Sequence, residues 1–165
     1  MLSMHLIDTL DARILLALDH DTQATVLALS RELGVARNTV HARLRRLLTG
    51  GSLGPFSQRV RTEALGLPLI AFISVAISQS SSQEAMEHVR RIPEIIEMHA
   101  TTGDADLHAK VAARDPADLH RITNQILSIE GVVRTSTAMS LVEVMPTRTG
   151  PLLESAAHRD HADQT

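Results

Sequence analysis

The sequence contains no cysteine, no tryptophan and no tyrosine, and it has only two phenylalanines. Without cysteine the chain can form no disulfide, no thiolate metal site and no cysteine nucleophile. The scarcity of aromatic side chains leaves the bases of a single-stranded nucleic acid almost nothing to stack on. Any core must therefore be built from Leu, Ile, Val, Ala and Met, and stacking-based binding of single strands is excluded.

Membrane and catalytic signals are also missing. No stretch reaches the roughly 18 consecutive apolar residues that a membrane span needs, and the first residues lack the basic and apolar regions of a secretion signal. No nucleophile with a base and an orienting group is recognisable, and there is no glycine-rich phosphate loop. We therefore expect a cytoplasmic protein without cofactor or catalytic activity.

Charge is distributed unevenly along the chain. The formal net charge of −3 argues by itself against a nucleic-acid partner. However, no acidic residue lies between Glu32 and Glu63, and residues 37–46 contain four arginines. A local basic surface on a mildly acidic protein indicates DNA contact through one element.

Three helices are predicted at the N-terminus. Asp8 is a candidate N-cap for the first, which ends near His20, and Thr25 is a candidate N-cap for the second, which ends at Gly34. After a turn of only two residues a third helix follows at 36–48 and stops at a pair of glycines. Three helices with a tight turn between the last two describe a helix-turn-helix.

The polar face of the third helix contains the candidate DNA contacts. The N-terminal part of such a helix meets base edges, where Arg can pair with guanine and Asn with adenine, and later residues hold phosphates. The predicted base readers are Arg37, Asn38, Thr39, His41 and Ala42. The predicted phosphate contacts are Arg43, Arg45 and Arg46. On a helical wheel Arg46 lies opposite the apolar stripe. The alternative is an ordinary amphipathic helix with a solvated basic face.

The second half predicts a sheet with two helices. After an exposed linking strand at 56–61, the patterns follow in the order strand, helix, strand, strand, helix, strand, which is a ferredoxin-like βαββαβ arrangement. The predicted strands are 69–78, 95–101, 106–113 and 132–144. Ser81 and Glu84 could form a capping box for the first helix, while Asp115-Pro116 opens the second and Gly131 ends it. The uncovered face of such a sheet needs a partner, for which a second copy is the natural candidate.

Taken together, the sequence resembles the Lrp/AsnC family of transcription regulators along residues 6–147. The motifs that show this resemblance are LDARIL at 10–15, LSRELGV at 29–35, VHARL at 40–44, TGDAD at 102–106 and GVVRTST at 131–137. No single motif is specific, but their order and spacing are. Ala105 departs from the family, because that position is commonly aromatic.

The resemblance implies an α+β protein with a helix-turn-helix (winged-helix-like) domain and an effector domain of the type called RAM. The expected segments are the DNA-binding domain at 1–52, a linker strand at 53–66, the RAM domain at 67–147 and a tail at 148–165. The tail is expected to be disordered or loosely attached, and its polar residues include His158 and His161.

The resemblance also implies an amino acid or related small metabolite as effector, bound near the glycine turn between the central strands. The candidate effector residues are Thr101, Thr102, Gly103, Asp104, Asp106, Thr135 and Thr137. Backbone amides at such a turn can hold a carboxylate, and Asp104 or Asp106 can accept from an ammonium group. The alternative is a plain hairpin with solvated carboxylates. His99 and His108 lie nearby, but no ligand spacing is diagnostic, so no metal is predicted.

These expectations converge on a sequence-specific regulator that binds double-stranded DNA and responds to a small effector. The family resemblance implies a homodimer that assembles further, with an octamer as the expected state. The alternative is an architectural DNA-compacting protein or a stand-alone metabolite sensor. A small enzyme on a ferredoxin-like fold ranks below both.

Overall fold

The computed structural model describes residues 6–159. The chain divides into two compact units, of which one takes in the residues up to Gln58 and again from Met145, and the other is Arg59–Val144. Within the described range, no helix has the length and apolar character required to cross a membrane.

The first unit begins with the three predicted helices, α1 (Thr9–His20), α2 (Val26–Leu33) and α3 (Arg37–Thr49). The predicted caps are confirmed. The Asp8 carboxylate accepts from the Asp11 amide at 2.9 Å, and the Thr25 hydroxyl accepts from the Ala28 amide at 3.1 Å. Gly34 ends α2 with a φ of 68°, a left-handed conformation that glycine adopts without steric cost.

A fourth helix, α6 (Gly150–Ala157), belongs to the same unit and packs against α1. Its Ala156 is buried, and the Thr9 hydroxyl donates to the Ala156 carbonyl at 3.5 Å. The prediction of a loosely attached tail is therefore wrong for this segment. Pro151 near the helix start and a small residue at the contact both favour a packed helix. Residues 160–165, including His161, lie outside the described residues.

The second unit confirms the βαββαβ order. Its strands are β1 (Leu69–Ile77), β2 (Ile95–Ala100), β3 (Leu107–Ala113) and β4 (Val132–Met139), and its helices are α4 (Ser82–Arg90) and α5 (Pro116–Leu127). The strands form one sheet in the order β2-β3-β1-β4, and every neighbouring pair is antiparallel. The fold class predicted from the sequence is confirmed.

The core of this unit lies between the two helices and one face of the sheet. Alternate residues of the central strands point toward the helices, as the alternation predicted. The fully buried core side chains from sheet and helices include Ala71, Ile73, Val75, Val89, Val111, Ile122 and Ile126. Aliphatic packing of this kind is what the aromatic-poor composition requires.

Two predicted strands differ in the structure. The expected linking strand at 56–61 is replaced by 3₁₀ turns at Phe56–Arg59 and Thr62–Leu65, whose amides find acceptors locally, as when Gln58 donates to Pro55 at 3.0 Å. A strand is stable only where a neighbouring strand accepts its hydrogen bonds, and these turns satisfy the backbone without one. The last strand ends at Met139 rather than at residue 144 because its partner β1 begins at Leu69.

Two predicted helix ends also differ. Ser81 makes no side-chain cap on α4, because a 3₁₀ turn at Gln79–Ser81 precedes the helix. Helix α5 ends at Leu127 rather than at Gly131. Gly131 instead lies in the turn before β4 with a φ of 90°, where an added Cβ would lie 2.7 Å from the Ser81 Cβ. Close packing against Ser81, together with a positive φ, accounts for glycine at this position.

The burial of α5 leads to a prediction about stability. We expect Ile122→Ala to lower the free energy of unfolding of this unit by about 2–5 kcal/mol, because the side chain is fully buried and its removal leaves a cavity. The matched control is Leu127→Ala on the same helix, where the side chain is 46% exposed, and its loss should be less than half as large. Denaturant unfolding of both variants measures the difference, and equal losses would contradict the assigned core.

Candidate functional site

The surface of α3 is the first candidate site. The structure confirms that its first turns face solvent, since Arg37, Asn38 and Thr39 are exposed, and so are His41 and Ala42. Val40 and Leu47 are buried on the opposite side, where they hold the helix in its unit. The predicted base readers thus form one exposed polar surface.

The three predicted phosphate contacts are not equivalent. Arg45 is exposed, whereas Arg43 and Arg46 are half-buried and turn toward the first turn of α1. The helical wheel placed Arg46 opposite the apolar stripe, but its long side chain reaches the neighbouring helix instead. The prediction of its direction is therefore wrong.

Two carboxylates of α1 bind these guanidinium groups. Asp11 is fully buried, and its two oxygens accept from Arg43 at 3.2 Å and from Arg46 at 2.6 Å. Asp8 forms ion pairs with both arginines, at 3.5 Å to Arg46 and in direct hydrogen-bond contact with Arg43. We call these four residues the α1–α3 clamp. Its geometry ties α3 to the start of α1.

The charges of the clamp alter its ionisation. Partial burial by itself raises the pKa of Asp8, but the hydrogen bond from Arg43, the Asp11 amide and the charges of Arg43 and Arg46 outweigh it and lower this pKa to about 2. The hydrogen bond to Asp8 raises the pKa of Arg43. Both groups therefore stay charged over the physiological range.

The clamp was not recognised from the sequence, although a signal exists. Asp8 and Asp11 are three residues apart, and so are Arg43 and Arg46. Side chains three apart share one face of a helix, so two such pairs on packed helices can meet. An acid that follows an N-cap by three positions and lies on the core side of a helix needs a cationic partner.

The turn between β2 and β3 is the second candidate site, and it contains most of the predicted effector residues. Thr101 closes the turn, since its amide donates to the Asp106 carbonyl at 2.9 Å and its hydroxyl to the Ala105 carbonyl at 3.0 Å. Thr102, Gly103 and Asp104 are exposed. The exposed atoms of this turn are available to a ligand.

Asp106 has a structural partner that the sequence did not indicate. Its carboxylate accepts from the Ile77 amide at 2.6 Å, and its own amide donates to the Val75 carbonyl at 3.0 Å. At the same point of β1, between Ala76 and Ile77, the register of its pairing with β4 shifts. Asp106 therefore attaches the turn to β1, in addition to any contact with a ligand.

The two threonines of β4 lie on the strand that pairs with β1. Thr135 pairs with Val75, whereas Thr137 is further along the strand and its hydroxyl is 3.4 Å from the hydroxyl of Thr123 on α5. Arg134, which the sequence did not single out, donates to the Asp104 carbonyl at 3.3 Å. The structure thus brings Arg134 rather than Thr137 to the turn.

The histidines beside the turn have other partners. His99 and His108 are opposite each other on β2 and β3, on the sheet face without helices. A nitrogen of His108 is 3.0 Å from the Ser74 hydroxyl, and His99 is 2.7 Å from the Glu97 carboxylate. Among residues 6–159 no three histidine or carboxylate side chains are placed to hold a metal ion.

Comparison with known proteins covers both sites. Residues 7–48 match the AsnC-type helix-turn-helix domain, and residues 70–149 match the Lrp/AsnC ligand binding domain. The chain is 33% identical over 135 residues to the HTH-type transcriptional regulator FL11 of Pyrococcus horikoshii. The matched region covers 82% of this chain and 89% of that protein.

Two solved structures of transcriptional regulators are similar to this chain over most of its length. E. coli AsnC matches with a TM-score of 0.79 at 27% identity, covering 89% of this chain and 100% of its own. A transcriptional regulator from Neisseria meningitidis, solved as a complex with L-methionine, matches with a TM-score of 0.74 at 26% identity, covering 86% of this chain and 94% of its own.

The ion pairs of the α1–α3 clamp predict that the stability of the folded state depends on pH. Because the pKa of Asp8 falls to about 2 on folding, its charge stabilises the folded state above pH 4, and this contribution is lost as the pH falls toward 2. Asp8→Asn keeps an N-cap acceptor and removes the charge. We expect it to lower the melting temperature at pH 6 and to match the unchanged protein near pH 2.

Thermal unfolding by circular dichroism at low ionic strength measures this effect. Its size should be on the order of 1 kcal/mol or less, since the Asp8 side chain is 46% exposed and solvent screens the pair. Asp19→Asn, an exposed residue of the same helix, serves as control. A gap between Asp8→Asn and the unchanged protein that stays constant from pH 6 to pH 2 would contradict the assignment.

Proposed function

Because this chain belongs to the Lrp/AsnC family of transcriptional regulators, we propose that it recognises specific DNA sequences through α3 and that an amino acid or related metabolite modulates this binding. A DNA-binding helix-turn-helix and a ligand-binding domain are properties of the family. The observation that supports sequence recognition is the exposed face of α3, where base-reading side chains lie on a helix without acidic residues.

The arginines of α3 are proposed to have different roles, because they differ in exposure and in their partners. We assign base contacts to the first turns of α3, chiefly Arg37 and Asn38, because both are exposed and suited to paired hydrogen bonds with base edges. Arg45 is exposed and is assigned to a phosphate. Arg43 and Arg46 bind the carboxylates of α1, so their main contribution is to orient the helix.

The effector would lie on the turn between β2 and β3. The amides around Gly103 suit a carboxylate, and Asp104 and Asp106 suit an ammonium group, which are the two charged groups of an amino acid. The L-methionine in the Neisseria regulator supports this ligand class. Ala105 stands where the family commonly has an aromatic residue, so we expect a pocket that is larger or differently gated, and the identity of the amino acid is not carried over from the relatives.

We further propose that the protein acts in the cytoplasm as a homodimer that assembles into larger oligomers, with an octamer as the expected end state. The sheet face opposite the helices supports the dimer, because it has no covering element within its unit and leaves Phe72 49% exposed. Phe72→Glu should therefore shift the mass measured by light scattering toward the monomer. An unchanged mass would exclude this face as the contact.

Sequence selectivity can be tested by selection from a random library of duplexes. The selected duplex should bind at least 1,000-fold more tightly than a shuffled one, the lower bound typical of specific binding. Asn38→Ala should alter the selected sequence. Arg45→Ala should weaken both duplexes alike and reduce the salt slope by about one.

Arg91→Ala, an exposed arginine of the other unit, is the matched control for Arg45→Ala. Equal affinity for selected and shuffled duplexes at every salt concentration would contradict sequence recognition and favour architectural binding. A change of base preference in Arg45→Ala would contradict the assignment of this residue to a phosphate.

The effector site can be tested by thermal shift with the twenty amino acids. At a hundredfold excess over its dissociation constant, a true effector stabilises the protein by about 2.7 kcal/mol. Asp104→Ala and Asp106→Asn should abolish this gain, and Asn at residue 106 keeps an acceptor for the Ile77 amide. Glu130→Ala, an exposed control, should respond normally. A ligand whose effect survives both changes would place the site elsewhere.

A further inference from the structure

Helix α6 lies beyond both matched domains, because the ligand-binding domain match ends at residue 149 and α6 begins at Gly150. It follows the effector domain in the chain, yet it belongs to the compact unit of the helix-turn-helix. We propose that α6 is a positioning element for the recognition helix, acting through the first turn of α1. The proposal rests on DNA recognition by α3 and adds a second structural condition for it.

The first step is the contact between α6 and α1. Ala156 is 4% exposed, whereas Leu152 on the same helix is 69% exposed, so α6 turns its small residue inward. The Thr9 hydroxyl donates to the Ala156 carbonyl at 3.5 Å, which places the end of α6 beside the first residue of α1. A small side chain at this position lets the two backbones approach closely.

The second step connects α1 to α3. A cleft of about 390 Å³ surrounds the first turn of α1, and its walls include Asp8 and Thr9 from the start of α1, Arg43 from α3 and Ala156 from α6. Asp8 is the N-cap of α1 and at the same time a partner of Arg43. A shift of this first turn would therefore move the carboxylates to which α3 is attached.

The third step concerns how firmly α3 is otherwise held. Only Val40 and Leu47 are buried among its residues, and the core cluster that contains Val40 is small and entirely aliphatic. The α1–α3 clamp is therefore a large part of what orients the helix. Bidentate hydrogen bonds to base edges tolerate little displacement, so a loss of orientation should reduce selectivity more than general affinity.

A pair of arginine substitutions on α6 tests the proposal. Ala156→Arg places a long charged side chain at the buried contact, and Ser155→Arg places the same side chain on the exposed face next to it. The measurement is the ratio of affinities for the selected and the shuffled duplex. We expect Ala156→Arg to reduce this ratio about tenfold, a loss in the range of one base contact, while binding of the shuffled duplex stays within twofold of the Ser155→Arg control.

Hydrogen exchange provides a readout that does not need DNA. The amides of α3 should exchange faster in Ala156→Arg than in Ser155→Arg, while those of α5 in the other unit stay equally protected. A chain that ends after Thr149 removes α6 without inserting a side chain at the contact and should reproduce both effects. An unchanged affinity ratio and unchanged protection of α3 in both altered chains would overturn the proposal.

Two further outcomes distinguish a positioning role of α6 from a role in folding and from failure of the proposed DNA recognition. Loss of hydrogen-exchange protection throughout α1, α2 and α3 in both altered chains would show that α6 is needed for folding of the first unit, and would overturn a positioning role. If the unchanged protein selects no sequence from the library, the proposed recognition function fails. Hydrogen exchange of α3 then decides the role of α6 by itself.

Discussion

The carboxylate of Asp11 lies fully buried in the first turn of α1, between the guanidinium groups of Arg43 and Arg46. An unpaired charge in such a place would be strongly unfavourable, so the two arginines must remain beside it. This requirement sets the position of α3 relative to α1, and with it the direction in which the exposed residues of α3 point. The surface proposed to read DNA therefore depends on ion pairs within its own unit.

A related arrangement of charges occurs in the second unit. Asp115 caps α5 by accepting from the Asp118 amide at 2.8 Å, and Asp118, three residues after the cap, is buried. Arg114 and Arg121 donate to Asp118 at 3.0 Å and 2.9 Å, and the hydrogen bond from Arg114 lowers the pKa of Asp118 well below its usual range. In both units a capped helix start contains one buried carboxylate that binds two arginines, but in α5 these arginines are local, since Arg121 lies on the helix and Arg114 just before it.

Much of the fold follows from local signals in the sequence. The N-caps at Asp8, Thr25 and Asp115, the left-handed Gly34 and the period-two alternation in β1 and β3 depend only on neighbouring residues, and all are present in the structure. The errors occur where distant residues decide. The linking segment and the end of β4 depend on whether a partner strand is available, and no local pattern records that. The cap of α4 is the exception, because the 3₁₀ turn that replaces it lies directly before the helix.

The candidate sites show the same division. The exposed first turns of α3 and the glycine turn at 102–106 were predictable, because polarity, spacing and family resemblance all mark them. The hydrogen bond from the Ile77 amide to Asp106 and the approach of Arg134 to the Asp104 carbonyl were not predictable, because these partners meet only when three strands lie side by side. Hydrogen bonds of this kind link residues that are far apart in sequence.

For this protein, the sequence by itself determined the element order, most helix starts, the aliphatic cores and the family to which the chain belongs, since each is encoded in spacing and composition. Only the tertiary structure decided that Arg43 and Arg46 turn inward while Arg45 remains exposed, and that the C-terminal segment packs as α6 on α1. The physical reason is that a long charged side chain follows its nearest opposite charge, and a short helix is stable only where another surface buries one of its faces. Neither the charge nor the surface is adjacent in sequence.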